Sequence, residues 1–178
     1  MVEFTKNKVV KDDMGYFIVN ENGERISNKF NKITEFHNGL AVFTLHEKDG
    51  IVDINGCIVI EAKYQKIVFD SNLYRFRENG KWGLMNSNLK VICKPKFTFI
   101  ELFDGKKYAR VIAENKWGAI SKNGRIVIPI KYSYLDDVND RIFVAGFPGC
   151  YGAIDIHGNT KVPFSYSRVS LCKSQIKS

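Results

Sequence analysis

The chain has 178 residues, 44% hydrophobic and 13% aromatic, with a net charge of +8. That length fits one domain able to bury about 70% of its unfolded surface, and so apolar a composition excludes a disordered chain. The charge would attract nucleic acid or an acidic protein surface and says nothing of fold.

Met1–Val10 holds no apolar core of a secretory signal, and no later run is long enough to span a membrane. A cytoplasmic protein without membrane association is expected. From Gly15 onward the chain repeats itself. Glycines at 15, 50, 83, 118 and 152 are 35, 33, 35 and 34 residues apart. The aromatics Phe30, Tyr64, Phe97, Tyr132 and Tyr166 keep steps of 34, 33, 35 and 34. Two independent marks with one period predict five tandem copies, spanning roughly 1–36, 37–70, 71–104, 105–139 and 140–178.

Each copy reads as a small β-meander with one apolar face. Leu40–Leu45, Leu73–Phe76 and Tyr108–Ile112 lead into the glycine, whereas Cys57–Ile60, Val91–Cys93 and Arg125–Ile128 follow it. Between them lie the turns Asn20–Gly23, Asp53–Gly56, Asn86–Leu89, Ser121–Gly124 and Asp155–Gly158. An oxygen acceptor first and a glycine fourth fit a type I turn closed by a glycine bulge. Leu89 breaks that rule, which predicts about 1 kcal/mol of strain and the loosest of the five hairpins. Pro129 and Pro163 are read as ending their strands. Ile33, Ile67, Ile100, Leu135 and Val169, three residues after each aromatic, suggest a fourth short strand.

Lys81-Trp82-Gly83 and Lys116-Trp117-Gly118 resemble the signature of the bacterial WG (or KWG) repeat, as do Gly39–Val42 and Arg125–Tyr132. Met14, Asp49 and Tyr151 replace the tryptophan in the other copies. The resemblance implies a β-repeat scaffold and transfers no catalytic residues.

An all-β array of this kind can close into a propeller-like ring or continue as an open β-superhelix. The ring is expected, because the first copy lacks a leading aromatic segment and Tyr166–Leu171 at the other end could supply one. In the open stack, Lys173–Ser178 would cap the end or fray.

Candidate chemistry is sparse. Cys57, Cys93, Cys150 and Cys172 lack C-x-x-C spacing and read as reduced, mostly buried thiols, with no metal or cofactor expected. His157 takes a turn position, His37 precedes Gly39, and His46 ends a strand. No nucleophile or phosphate-loop motif occurs, so a non-catalytic protein is expected. Lys29, Lys63, Lys96 and Lys131 precede their aromatics, with Ser165 last. They either protect a sheet edge or form a binding stripe. Trp82, Trp117 and Tyr151 are expected in a buried seam beside Gly83, Gly118 and Gly152, each ring covering the next copy's glycine. Arg75 and Arg110, seven residues before the tryptophans, are read as an exposed cationic pair. With Arg77, Phe147 and Pro148 they complete the candidate contacts. A protein partner is expected first. A nucleic acid, or the groove of a nucleic-acid enzyme, is the alternative.

Overall fold

The computed structural model describes residues 7–139 and 141–176. Among these the chain is all-β except for one short helix, and no helix is long and apolar enough to cross a membrane. It divides into two compact units. The first runs to Phe69 and includes Phe76–Asn79; the second comprises Asp70–Arg75 and everything from Gly80.

In the first unit β1 (Lys8–Asp12) pairs with β2 (Gly15–Val19), and residues 25–30 follow β2 irregularly through bridges at Arg25 and Phe30. Next comes the meander β3 (Lys32–Ile33), β4 (Leu40–Leu45), β5 (Lys48–Asp53) and β6 (Ile58–Tyr64). The third sheet runs β7 (Lys66–Asp70), β8 (Leu73–Glu78), β9 (Lys81–Asn86) and β10 (Val91–Phe97), and the division between units passes through its first two strands. The second unit continues with β11 (Phe99–Ile100), β12 (Tyr108–Ala113), β13 (Lys116–Ser121) and β14 (Ile126–Tyr132). It ends with β15 (Tyr134–Asn139), β16 (Ile142–Phe147), β17 (Cys150–Asp155), β18 (Thr160–Tyr166) and α1 (Val169–Lys173). Each four-stranded sheet keeps its strands in chain order.

The short strand expected to close each copy opens the following sheet instead. One residue lies between the aromatic and that strand, and it makes the crossing. Its N–H donates to a carbonyl on the new sheet's second strand: Asn31 to Thr44, Gln65 to Arg77, Thr98 to Ile112 and Ser133 to Gly146, all at 2.8–2.9 Å. The hydrogen bond commits the chain to the new sheet before the short strand begins.

The expectation of one apolar face is also corrected. In β13, Gly118, Ala119 and Ile120 are all buried. Neighbouring strand residues point to opposite faces. Ile120 joins a core with Leu84, Phe97, Phe103 and Val111, whereas Ala119 joins one with Leu135, Phe143 and Ile154. A strand covered on both faces reads as a continuous apolar run, which is what Gly-Ala-Ile is. In the first unit Ile18 and Phe30 share a core with Ala41, Phe43 and Val52, and the Phe30 and Phe43 rings lie 4.4 Å apart.

The predicted turns form. The N–H of Gly23, Gly56, Leu89, Gly124 and Gly158 donates to the carbonyl three residues back. Side-chain oxygens of Asn20, Asp53, Asn86 and Asp155 each accept N–H groups two and four residues on. Leu89 does take φ +61°, yet its hairpin is no looser. The Leu89–Asn86 and Asn86–Lys90 bonds, 2.9 and 3.0 Å, match those of the glycine turns. The strain is absorbed at one residue because the strands on either side already hold the register. His46 does not end a strand. With Glu47 it forms a two-residue hairpin turn at φ +47° and +61°, the geometry that suits the twist of paired strands.

Opposite the motif glycine every fourth strand carries a double bulge. Trp117 faces Tyr132 and Ala119 faces Ile128, so β14 spends two extra residues there. The same offset recurs between Trp82–Phe97 and Leu84–Cys93, between Tyr151–Tyr166 and Ala153–Val162, and between Asp49–Tyr64 and Ile51–Ile60. Pro129 and Pro163 therefore lie inside their strands, at the bulge, where a missing N–H costs no ladder bond. The bulge folds its middle side chain onto the glycine. A Cβ on Gly118 would stand 2.6 Å from Ile130 Cγ1 and 2.7 Å from the Ile128 carbonyl oxygen; on Gly152 it would meet the Phe164 ring at 2.8 Å. The glycine is thus covered by its own sheet, not by the ring of another copy.

Three further expectations change. Val169–Lys173 is a helix, not a strand completing another sheet. Val169, Cys172 and Ile176 recur at helical spacing and pack on Val144, Ala153 and Val162 of the helix's own sheet. Of the tail expected to cap or fray, Lys177 and Ser178 lie outside the described residues. Cys57 is exposed and Cys150 half-buried, so only Cys93 and Cys172 are buried thiols. Replacing Gly118 by alanine should cost about 3 kcal/mol, because backbone blocks the new methyl. Urea unfolding followed by circular dichroism measures it.

Candidate functional site

The lysines stand where the bulge puts them. Lys63, Lys96 and Lys131 are its last residue in three sheets, and all three are exposed. Each ammonium lies over the ring of the aromatic that follows, at 5.2 Å from Tyr64, 5.2 Å from Phe97 and 5.4 Å from Tyr132. Among the described residues none of the three pairs with an acid. Lys29 differs: it is half-buried, pairs with Asp12, and lies 5.7 Å from the Phe17 ring. Bulges, prolines and lysines are the devices that keep an edge strand from pairing with another chain. The row therefore has a structural use whatever else it does.

The arginines are not an exposed pair. Arg75 is 9% exposed, lies 5.5 Å from the Trp82 ring, and donates from Nη1 to the Ile100 carbonyl. Arg110 lies 5.7 Å from the Trp117 ring and donates from Nη1 to the Leu135 carbonyl at 3.1 Å. One device is built twice: an arginine on the second strand rests on the motif indole and reaches the first strand of the next sheet. Arg110 faces Ala119 and Ile112 faces Trp117, so the arginine meets the indole diagonally across the hairpin. Trp82 and Trp117 are half-buried, as their supporting role requires. Tyr151 keeps the position but has Val144 where the arginine would be, and its ring meets Tyr134 edge-on at 5.6 Å. In the first unit Asp49 replaces the tryptophan. It is 2% exposed and accepts the Ile67 N–H at 2.8 Å and the Thr44 hydroxyl at 2.8 Å.

Arg110 anchors a charged cluster that sequence reasoning missed. Nε and Nη2 donate to the two Glu101 oxygens at 2.9 and 2.7 Å, and Nη1 donates to Asp136 at 2.7 Å. Lys173 of α1 pairs with Asp136 and Lys106 with Asp137, both at 2.8 Å. The Arg110 hydrogen bonds hold Glu101 below the usual carboxylate range. Burial would raise Asp136, but Lys173 and Arg110 outweigh it and leave it lowered. Lys106 lowers Asp137. The partners lie 9 to 37 residues apart in sequence, so no local motif announces them; the signal is one Arg–aromatic spacing in two copies.

Of the other candidates, Arg77 is exposed. Phe147 packs against Tyr132 and Phe164 at 5.3 and 5.5 Å, and so serves the core. Pro148 leads into Gly149, whose φ of +79° makes the turn.

Carboxylates lowered by folding add stability above their unfolded value, near pH 4, and lose it as pH falls through their lower folded values. Urea midpoints of the native chain should therefore drop below about pH 4. In Arg110→Gln that acid-side loss should shrink, because Glu101 loses the cation that lowers it.

Several solved structures are similar to the chain at 8–10% identity. A eukaryotic initiation factor gives a TM-score of 0.45 at 8% identity over 92% of this chain and 53% of the other. Kluyveromyces lactis Hsv2 gives 0.45 at 9% over 88% and 59%. The β-propeller domain of Cps50 (Swd1) from Myceliophteria thermophila gives 0.37 at 10% over 86% and 68%. The chain spans a little over half of the first two. No curated protein matches it in sequence. A sequence model of the WG containing repeat matches residues 50–82, 82–117 and 117–144, more than half of the chain. Those segments carry the indoles, the glycine under its bulge and the arginine clamps, and the chain belongs to the WG repeat family.

Proposed function

We propose that the chain is a non-catalytic scaffold that binds another macromolecule, a protein before a nucleic acid, through exposed side chains held in register by the repeat. The observation that carries this is the contrast between repeat positions. Turn acceptors, glycines, indoles and clamp arginines are engaged in building the sheets. Lys63, Lys96 and Lys131 recur as regularly, yet they are exposed and, although each lies over the ring that follows it, none has an acidic partner among the described residues. A repeated, uncompensated cation is an available contact for an acidic surface. The cytoplasm suits this reading.

The test is a chain carrying Lys63→Glu, Lys96→Glu and Lys131→Glu. It should fold as the parent does and lose the partner that the parent retains from a cell lysate. If the partner is nucleic acid instead, mixed-sequence RNA and DNA will bind at low salt. The triple variant will then show a slope of log affinity against log salt smaller by about 3. Unchanged capture by the triple variant would remove the lysine row from the reading.

The finer arrangement of copies is part of the proposal. The complementary ends of the array, a first copy without a leading aromatic segment and a spare Tyr166–Leu171 at the other end, favoured a closed ring. The segment expected to close it is α1, which covers the face of the last sheet opposite Ala145 and Ile154. We therefore favour the open β-superhelix. Small-angle X-ray scattering should give a skewed, extended distance distribution, whereas a symmetric compact one would restore the ring.

A further inference from the structure

Arg75 and Arg110 occupy the same repeat position, and only one of them is satisfied. Arg110 has an acceptor for Nε, Nη1 and Nη2. Arg75 donates from Nη1 to the Ile100 carbonyl, while its Nε–H is buried with no acceptor. The cause can be read from the two copies. Glu101, which takes Arg110 Nε, precedes it by nine residues; nine residues before Arg75 stands Lys66. The Lys66 ammonium is paired with Asp49 and has the wrong sign to serve an arginine. Asp136 follows Leu135 directly and serves Arg110 as well; its counterpart after Ile100 is Glu101, already held by Arg110. Arg75 has thus lost both carboxylates that its twin enjoys. Asp70 contributes charge at longer range, but its oxygens accept the N–H groups of Phe103 and Asp104.

A buried guanidinium N–H without an acceptor is costly. Here the arginine also lines an open pocket. Phe99 and Leu102 form its apolar wall, exposed by 41% and 46%, and Asp104 and Lys106 stand with them. All these residues belong to the second unit.

We propose that this pocket docks a protein partner through one carboxylate side chain next to an apolar residue, the carboxylate taking the place that Glu101 takes on Arg110. The inference rests on the scaffold reading and specifies the partner's chemistry. The rim argues for a single carboxylate over a phosphate. Glu101, Asp104 and Asp70 stand close by, and Lys106 is already paired with Asp137. A multiply charged anion would meet three carboxylates against one free cation. A lone carboxylate completes a two-bond guanidinium fork, and its apolar neighbour covers Phe99 and Leu102.

Random heptapeptides displayed on phage and selected on the intact chain test this. Clones should carry Asp or Glu beside Leu, Ile or Phe. A representative peptide, capped at both ends, should bind about ten-fold or more weakly when its acid becomes the amide, and equally so to Arg75→Met. In the parent chain the Arg75 Nε–H resonance should move on adding the peptide, a readout that does not depend on the variant folding. The proposal is overturned if no clone is enriched, if clones show no acid preference, or if that resonance stays still. Peptides that fail on the lysine triple variant but bind Arg75→Met would also overturn it, while leaving the scaffold reading intact.

Discussion

Burial on both faces of a central strand is the constraint on which the rest of the structure depends. Ile120 and Ala119 are adjacent in sequence and lie in different cores. An isoleucine taken fully out of water is worth about 1.5–3 kcal/mol, and β13 collects such gains on each side. The sheet β11–β14 alone would leave both cores open to water. Its stability is therefore a property of the stack. A cation over a half-exposed ring contributes about 0.5–1 kcal/mol, so the arginine clamps are secondary in magnitude. Their part is to choose among registers that apolar burial alone would tolerate.

The polar groups at the seams support that division of labour. The backbone at Ile67, Ile100 and Leu135 occupies equivalent positions, and each is hydrogen-bonded to a side chain of the preceding sheet. Asp49 accepts at Ile67, whereas Arg75 and Arg110 donate at Ile100 and Leu135. Aspartate in the tryptophan position serves the N–H at the crossing, and arginine beside a tryptophan serves the carbonyl there. A buried backbone group at the crossing needs a partner, and donor or acceptor is chosen to match. This explains how the motif can lose its tryptophan without losing the junction.

Much of this architecture was legible in the sequence, and the limits have physical reasons. The turns were readable because an oxygen acceptor followed by glycine is local chemistry; Leu89 was flagged by the same rule, and its positive φ is real. Strands after each turn were readable from β-branched runs. The double bulge was not, because it is defined by pairing between strands, and Pro129 alone looks like an ending. Analogy with the earlier copies makes Tyr166–Leu171 a strand and hides the helix at Val169, although Val169, Cys172 and Ile176 carry helical spacing. Of the candidate site, the row of Lys63, Lys96 and Lys131 was readable from its fixed place before each aromatic, and all three are exposed. The fate of Arg75 and Arg110 was not, since it depends on carbonyls 25 residues away and, for Arg110, on acids 9 and 26 residues away.

The bulge has a consequence for how damage spreads. Because it spoils the outer ladder, a sheet gains regular neighbours through its faces, and those neighbours are the preceding and following stretches of the same chain. Such an array behaves as a one-dimensional lattice with nearest-neighbour coupling. A lesion in one copy weakens the two seams it shares and leaves distant copies to melt on their own terms.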